Sequence, residues 1–181
     1  MSTIIKLISL LVLISQIAIL LYLLLLISKS KIIIKINALI HQKALLLSFV
    51  IALAATLGSL FFSEIAGFEP CKLCWFQRIL MYPQVILFGV AMWLKDKNSG
   101  YYAKILSAIG ILLSGYHYLL QINVIPTNAS CSIKNSVSCA TTPIFDFGYI
   151  TIPLMAFTAF LLIFLIQIIQ TNKKYRDEIS I

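Results

Sequence analysis

Residues 71 to 94 read CKLCWFQRILMYPQVILFGVAMWL, a run whose only charged residues are Lys72 and Arg78. A hydrocarbon core about 30 Å thick is crossed by roughly 20 apolar residues in helical conformation. The stretch therefore reads as a membrane span that opens on two cysteines and carries an arginine inside it. Four more stretches meet the same criterion: Leu7 to Ile27, Ala44 to Ser63, Ile105 to about Ile125, and Gly148 to Gln170. The whole chain agrees with that reading. Its 181 residues are 61% hydrophobic and only 11% charged, with a mean hydropathy of +1.01, well outside the soluble globular range. The expected fold class is an all-α membrane protein, and any chemistry must sit at span ends or in short loops.

The net charge of +8 points to orientation rather than to nucleic acid. Lys29, Lys31, Lys35 and Lys43 fall in the first connector, Lys95, Lys97 and Lys104 in the third, and Lys173, Lys174 and Arg176 in the tail. In a five-span chain these all lie on one side, which the positive-inside rule makes cytoplasmic. The connectors at residues 64–70 and 122–147 then face outward, the first with Glu64 and Glu69 and no base, the second with Lys134 as its only base. Trp93, Tyr101 and Tyr102 at the inner boundary, and Trp75 and Tyr149 at the outer one, suit interfacial aromatic belts. The first span has a single Lys6 ahead of it and no small-x-small cleavage site before Ser28, so it reads as a retained anchor rather than a signal peptide. Residues 31–43, KIIIKINALIHQK, fit either an interfacial helix or an inner extension of the second span.

All four cysteines belong to the outward face. Cys71 and Cys74 sit at the outer end of the third span, and Cys131 and Cys139 in the long outer loop. Disulfides persist outside the cytosol, so location and even count favour redox pairs. Pro70 suits a first helical position. A helix starting there puts Cys71 and Cys74 in its first turn, where unpaired N–H groups and the positive dipole end favour a thiolate. At 100° per residue, Cys71, Cys74 and Arg78 share a face, with Arg78 roughly 10 Å below the helix start. An arginine at mid-bilayer costs about 2.5 to 3.5 kcal/mol, and snorkelling to the headgroups is the ordinary way to lower that cost. In the fourth span, within SGYHYLLQ (residues 114–121), His117 and Gln121 are four apart, on one face and at about the depth of Arg78. A lone histidine there is an ordinary bundle residue. A histidine, a glutamine and an arginine at one level beside a thiol pair outline a polar-edged pocket for a small ligand. The loop TNASCSIKNSVSCATTPIFDFGYITIP (residues 127–153) is irregular in composition, and its cysteines close a short ring. A plain structural staple is the simpler reading of that ring. Asn128-Ala129-Ser130 matches a glycosylation acceptor, a tripeptide too common to weigh.

CKLCWFQRILMYP, HYLLQ and FGYITIP, in this order and spacing, resemble the DsbB/BdbC disulfide bond formation proteins, most closely the BdbC branch, over roughly residues 44 to 172. The CxLCWxQR string is far more specific than a bare CxxC. The resemblance implies a four-transmembrane-helix bundle, here with one additional N-terminal transmembrane helix. Its organisation would be a membrane anchor and basic connector over 1–43, the bundle over 44–172, and a cytoplasmic tail over 173–181. It implies an enzyme of the bacterial cytoplasmic (inner) membrane, with its redox cysteines on the extracytoplasmic side. Such an enzyme reoxidises a DsbA/BdbD-like thioredoxin-fold oxidase and passes the electrons to a membrane quinone, ubiquinone or menaquinone, with no metal and no nucleic acid. By position, Cys131 and Cys139 resemble the pair that meets the partner, with Cys131 the mixed-disulfide sulfur. Cys71 and Cys74 resemble the pair that hands electrons on, with Cys74 nearest the quinone. Arg78, His117 and Gln121 resemble the quinone-site residues. The N-terminal span is a departure from the family core and has no role in that scheme.

Two other readings compete. A vitamin K epoxide reductase-like protein also couples loop cysteines and a span-end CxxC to a quinone, but CxLCWxQR argues against it. A zinc-binding membrane protein would use the four cysteines as a tetrathiolate. The seven residues between Cys131 and Cys139 and the oxidising face argue against that.

Overall fold

The computed structural model describes residues 2–28, 31–96, 98–125 and 138–172. Within them the chain forms five helices: α1 (Ser2–Ile27), α2 (Lys31–Leu60), α3 (Lys72–Leu94), α4 (Ser99–Gln121) and α5 (Ile152–Thr171). All five are long and apolar enough to cross a membrane, and the protein is an all-α, multi-pass membrane protein. A π-helical turn, Phe61–Ile65, extends α2.

The helices α2, α3, α4 and α5 pack in a closed ring in which each touches its two neighbours, while α1 lies outside it against α2 and α5. The interior is filled by Ala52, Met81, Phe88, Ala103, Phe160 and Ile163. The contact between α4 and α5 is close because Gly110 lacks a side chain, and a Cβ there would run into the Phe160 ring. Lipid tails are as apolar as the core, so association in a membrane depends on such packing and on interhelical hydrogen bonds, each contributing about 0.6 kcal/mol. Ser107 donates to Gln84 Oε1 at 3.1 Å, and Gln167 donates to Ser48 Oγ at 2.7 Å. These bonds tie α4 to α3 and α5 to α2.

Several boundaries differ from the sequence reading. Of the two readings of residues 31–43, the structure takes the extension of the second span, since α2 runs unbroken from Lys31. The fourth span begins at Ser99 rather than Ile105 and ends at Gln121. The fifth begins at Ile152 rather than Gly148. There the chain turns through Phe147 and Gly148, at φ 52° and 77°, and Asp146 pairs with Ile150 across the turn. That left-handed backbone suits glycine and cannot continue a helix. Pro70 does not begin α3: Cys71 is the N-cap, extended at φ −71° and ψ 172°, and the helix starts at Lys72. Cys74 is still in the first turn.

Candidate active site

The site is assembled at the end of the ring where α3 begins. Cys71 and Cys74 are free thiols with their sulfurs 3.1 Å apart. The extended cap residue and the first helical turn bring two side chains three residues apart to one place. Cys71 is buried, and it packs with Leu73, Leu120 and Cys139 in one cluster that Cys74 borders. Cys139 takes part in a disulfide. Cys131, the other loop cysteine expected at this site, lies outside the described residues, as does the glycosylation tripeptide.

His117, fully buried on α4, joins the two cysteine regions. Its Nε2 lies 3.1 Å from the Cys139 carbonyl oxygen and 3.6 Å from Cys71 Sγ. A carbonyl oxygen only accepts, so Nε2 carries a proton, which it shares between that oxygen and the sulfur. On the other side of the ring, the Gln77 amide nitrogen is 3.0 Å from Nδ1. With that nitrogen as donor, Nδ1 is the acceptor and the tautomer is fixed. Cys71 precedes the span Lys72–Leu94, and its thiol is held well below the ordinary thiol range. The hydrogen bond from Cys74 is the largest cause; burial opposes it, and the hydrogen bond of His117 adds to the lowering. The arrangement favours the thiolate form of Cys71 and places that sulfur against the loop cysteine.

Arg78 turns the other way, toward α2. Its Nε donates to Ser59 Oγ at 3.0 Å and its Nη2 to the Ser59 carbonyl oxygen at 3.1 Å, while Tyr82 OH donates to the same Oγ at 3.3 Å. The guanidinium carbon lies 5.2 Å from the Trp75 ring centroid, within cation–π range. The side chain is therefore clamped within the bundle, where the snorkelling alternative would have carried it to the headgroups. Gln121 donates through Nε2 to the Thr141 carbonyl oxygen at 2.8 Å, leaving its buried Oε1 without a partner among the described residues.

A cavity of about 320 Å³ opens between these groups. Cys71, Cys74, Arg78, His117 and Gln121 all line it, and its other walls combine aliphatic side chains of α1, α2 and α5 with Phe62, Phe68, Met81, Phe160 and the acidic Glu69. Five of the seven residues expected from the sequence thus meet at one chamber, while Cys139 sits behind His117 and Cys131 is undescribed. Sequence reasoning missed Gln77, Ser59 and Tyr82. Gln77 was within reach, since it sits in the CWFQR string three residues after Cys74, on the adjoining part of the face. Nothing in the sequence singles out Ser59.

Residues 41–170 match the family model described as Disulfide bond formation protein DsbB. The chain belongs to that family. It is 44% identical over 135 residues to a probable disulfide formation protein of Oceanobacillus iheyensis, covering 75% of this chain and 93% of that protein. It is 42% identical over 127 residues to disulfide bond formation protein C of Bacillus subtilis, covering 70% and 91%. A third relative, the SPbeta prophage-derived disulfide bond formation protein B of the same species, is 41% identical over 134 residues, covering 73% and 89%. No solved structure matches the chain. The DsbB-family assignment makes this an oxidoreductase of disulfide bond formation, and it removes the vitamin K epoxide reductase-like reading. The tetrathiolate reading does not fit this arrangement, in which Cys139 is disulfide-bonded.

Proposed function

We propose that this DsbB-family protein reoxidises an extracytoplasmic thioredoxin-fold oxidase and passes the two electrons to a membrane quinone, ubiquinone or menaquinone. The reading places it in the bacterial cytoplasmic membrane with its cysteines on the extracytoplasmic side, in keeping with the clustering of lysines in the opposite connectors. The observation that carries it is the meeting of the Cys71–Cys74 thiol pair and the clamped Arg78 at one apolar-walled chamber. A quinone fits that donor set: apolar walls accept its ring and tail, the guanidinium and the thiols supply donors to its oxygens, and Gln121 Oε1 can accept only from the O–H of the reduced product.

The electrons move in three balanced exchanges. The partner's dithiol reduces the Cys131–Cys139 disulfide and becomes a disulfide itself. The loop dithiol then reduces a Cys71–Cys74 disulfide, through attack on Cys71 and a mixed disulfide. In the last step the Cys71–Cys74 dithiol gives up two electrons and two protons and closes again. A bound quinone supplies the acceptor for those electrons and protons. His117 stabilises the Cys71 thiolate in the second and third exchanges, and Arg78 stabilises negative charge as it develops in the chamber.

The test is a coupled assay of purified protein, a reduced thioredoxin-fold oxidase and a soluble quinone analogue, read by quinone absorbance. Cys74→Ser abolishes quinone reduction and Arg78→Ala slows it. An unaffected Cys74→Ser overturns the site assignment. Metal analysis beside a thiol count checks the other use of Cys71, Cys74 and His117, whose ligand atoms lie within 4.8 Å of one another. The redox reading requires no stoichiometric zinc.

A further inference from the structure

Helix α1 lies outside the matched residues 41–170, and relatives covered over nine-tenths of their own length, such as that of Oceanobacillus iheyensis, leave little room for an equivalent. Its place in the fold is specific. Ser9 Oγ donates to Asp146 Oδ2, Gln16 Nε2 donates to Thr158 Oγ1 at 3.1 Å, and Tyr149 OH donates to Gln16 Oε1 at 2.8 Å. At the far end Tyr22 OH donates to Asn37 Oδ1 at 3.0 Å. A merely tethering helix needs none of these. They hold α1 along the groove between α2 and α5 and fix which of its faces looks inward.

That face carries Ile8, Leu11, Val12 and Ser15, and all four line the chamber that holds Cys74 and Arg78. The spacing i, i+3, i+4, i+7 is a single helical stripe, about 10 Å long by the rise per residue. Across from it α2 presents Ala54, Ala55 and Gly58, and a Cβ on Gly58 would meet nothing within 4 Å. The small residues leave open the space that α1 closes. Leu11 is also 64% exposed, so the stripe borders both the chamber and the lipid.

We propose that α1 is a fifth wall of the quinone chamber and that its Ile8–Ser15 stripe binds the isoprenoid tail, making α1 a determinant of which quinones are accepted. The proposal rests on the quinone reading above. The ring belongs at the polar end, beside Cys74 and Arg78, and an apolar tail leaving it meets the α1 stripe on its way to the bilayer. Leu11 and Ser15 suit a test because neither holds α1 in place: among the described residues Ser15 bonds the Leu11 carbonyl of its own helix alone, at 2.8 Å, and Leu11 lies outside the cluster formed by Ile5, Ile8, Val12 and Leu13 with Phe62, Ile144, Ile150 and Met155.

The experiment uses the full chain with its cysteines oxidised, so that nothing turns over, and measures dissociation constants by equilibrium dialysis. The probes are a decyl-tailed benzoquinone and the same ring without its tail. Leu11→Trp and Ser15→Phe weaken the decyl compound by roughly tenfold and leave the tail-less ring within twofold. Leu10→Trp, on an exposed part of α1 away from the stripe, changes neither. The decyl compound also quenches the indole introduced by Leu11→Trp more strongly than that introduced by Leu10→Trp, a readout that needs no change in affinity. Equal decyl binding by wild type and both stripe variants, with equal quenching of the two indoles, overturns the proposal. That outcome is distinct from failure of the quinone reading, which appears as a wild-type chain that binds neither compound.

Discussion

Replacing Arg78 by lysine keeps the positive charge and removes the fork that holds it. In the wild-type chain, Nε and Nη2 reach the Ser59 hydroxyl and carbonyl oxygens at 3.0 and 3.1 Å, and the Trp75 ring lies 5.2 Å from the guanidinium carbon. A lysine ammonium is a point charge on a flexible stem, with no planar face to stack and no second nitrogen to hold both acceptors. A hydrogen bond to a charged group contributes about 1.5 to 3 kcal/mol. Loss of one such bond from the transition state predicts quinone reduction slowed roughly 10- to 150-fold, at about 1.4 kcal/mol per factor of ten. The coupled assay with partner thiol saturating separates kcat from KM for the quinone analogue. A positioning role for the clamp requires kcat to fall, and Ser59→Ala, which spares the carbonyl acceptor, to fall less in the same direction. If Arg78→Lys retains kcat/KM within twofold of wild type, charge at that depth is sufficient and the Ser59 clamp has no part in catalysis.

The remaining expectations concern the thiol and the packing. Because the Cys71 thiol is lowered, its thiolate form persists as pH falls below the ordinary thiol range and is lost only at the lowered value. Alkylation of the reduced protein by iodoacetamide, followed by mass spectrometry at Cys71, therefore stays fast at pH 6, where a free cysteine is slow. The onset moves to higher pH in Cys74→Ala and, by a smaller step, in His117→Leu; an unchanged onset in Cys74→Ala would contradict the assignment of its main cause. Gly110→Ala forces a methyl against Phe160, a cost of about 1 to 3 kcal/mol, and lowers the thermal unfolding midpoint in detergent. Gly58→Ala enters open space and leaves that midpoint unchanged, and equal effects of the two would refute the packing described for α4 and α5.

How much was legible beforehand follows from what each feature depends on. Spans are set by composition over some twenty residues, so five helices were readable, and Cys71, Cys74, Arg78, His117 and Gln121 were readable as a group because helical periodicity and depth are local properties. Boundaries set by backbone geometry were not: the start of α5 depends on a left-handed turn at Phe147 and Gly148, and the helix start at Lys72 depends on the extended conformation of Cys71. Partners across helices were invisible too. Ser59 is one small residue in an apolar run, and it matters only because the ring brings α2 opposite Arg78. The place of α1 could not be read either, since its stripe of Ile8, Leu11 and Val12 looks like any lipid-facing surface until α2 and α5 leave a gap beside it.

The direction in which Arg78 points separates the chemistry of the site into two halves with Cys74 between them. On the α4 side, Gln77 and His117 support a thiolate on Cys71, next to the loop cysteine from which electrons would arrive. On the α2 side, the guanidinium is held by two oxygens of Ser59, both neutral. A carboxylate partner would hold it as firmly but cancel its field, and an arginine that has already cost about 2.5 to 3.5 kcal/mol to bury would then stabilise nothing in the chamber. The Ser59 oxygens fix the geometry without themselves neutralising the charge, which a group meant to stabilise developing negative charge requires. The thiolate is thus supported beside the loop cysteine and the positive charge stands on the α2 side, an order that matches the direction in which the proposed electrons must travel.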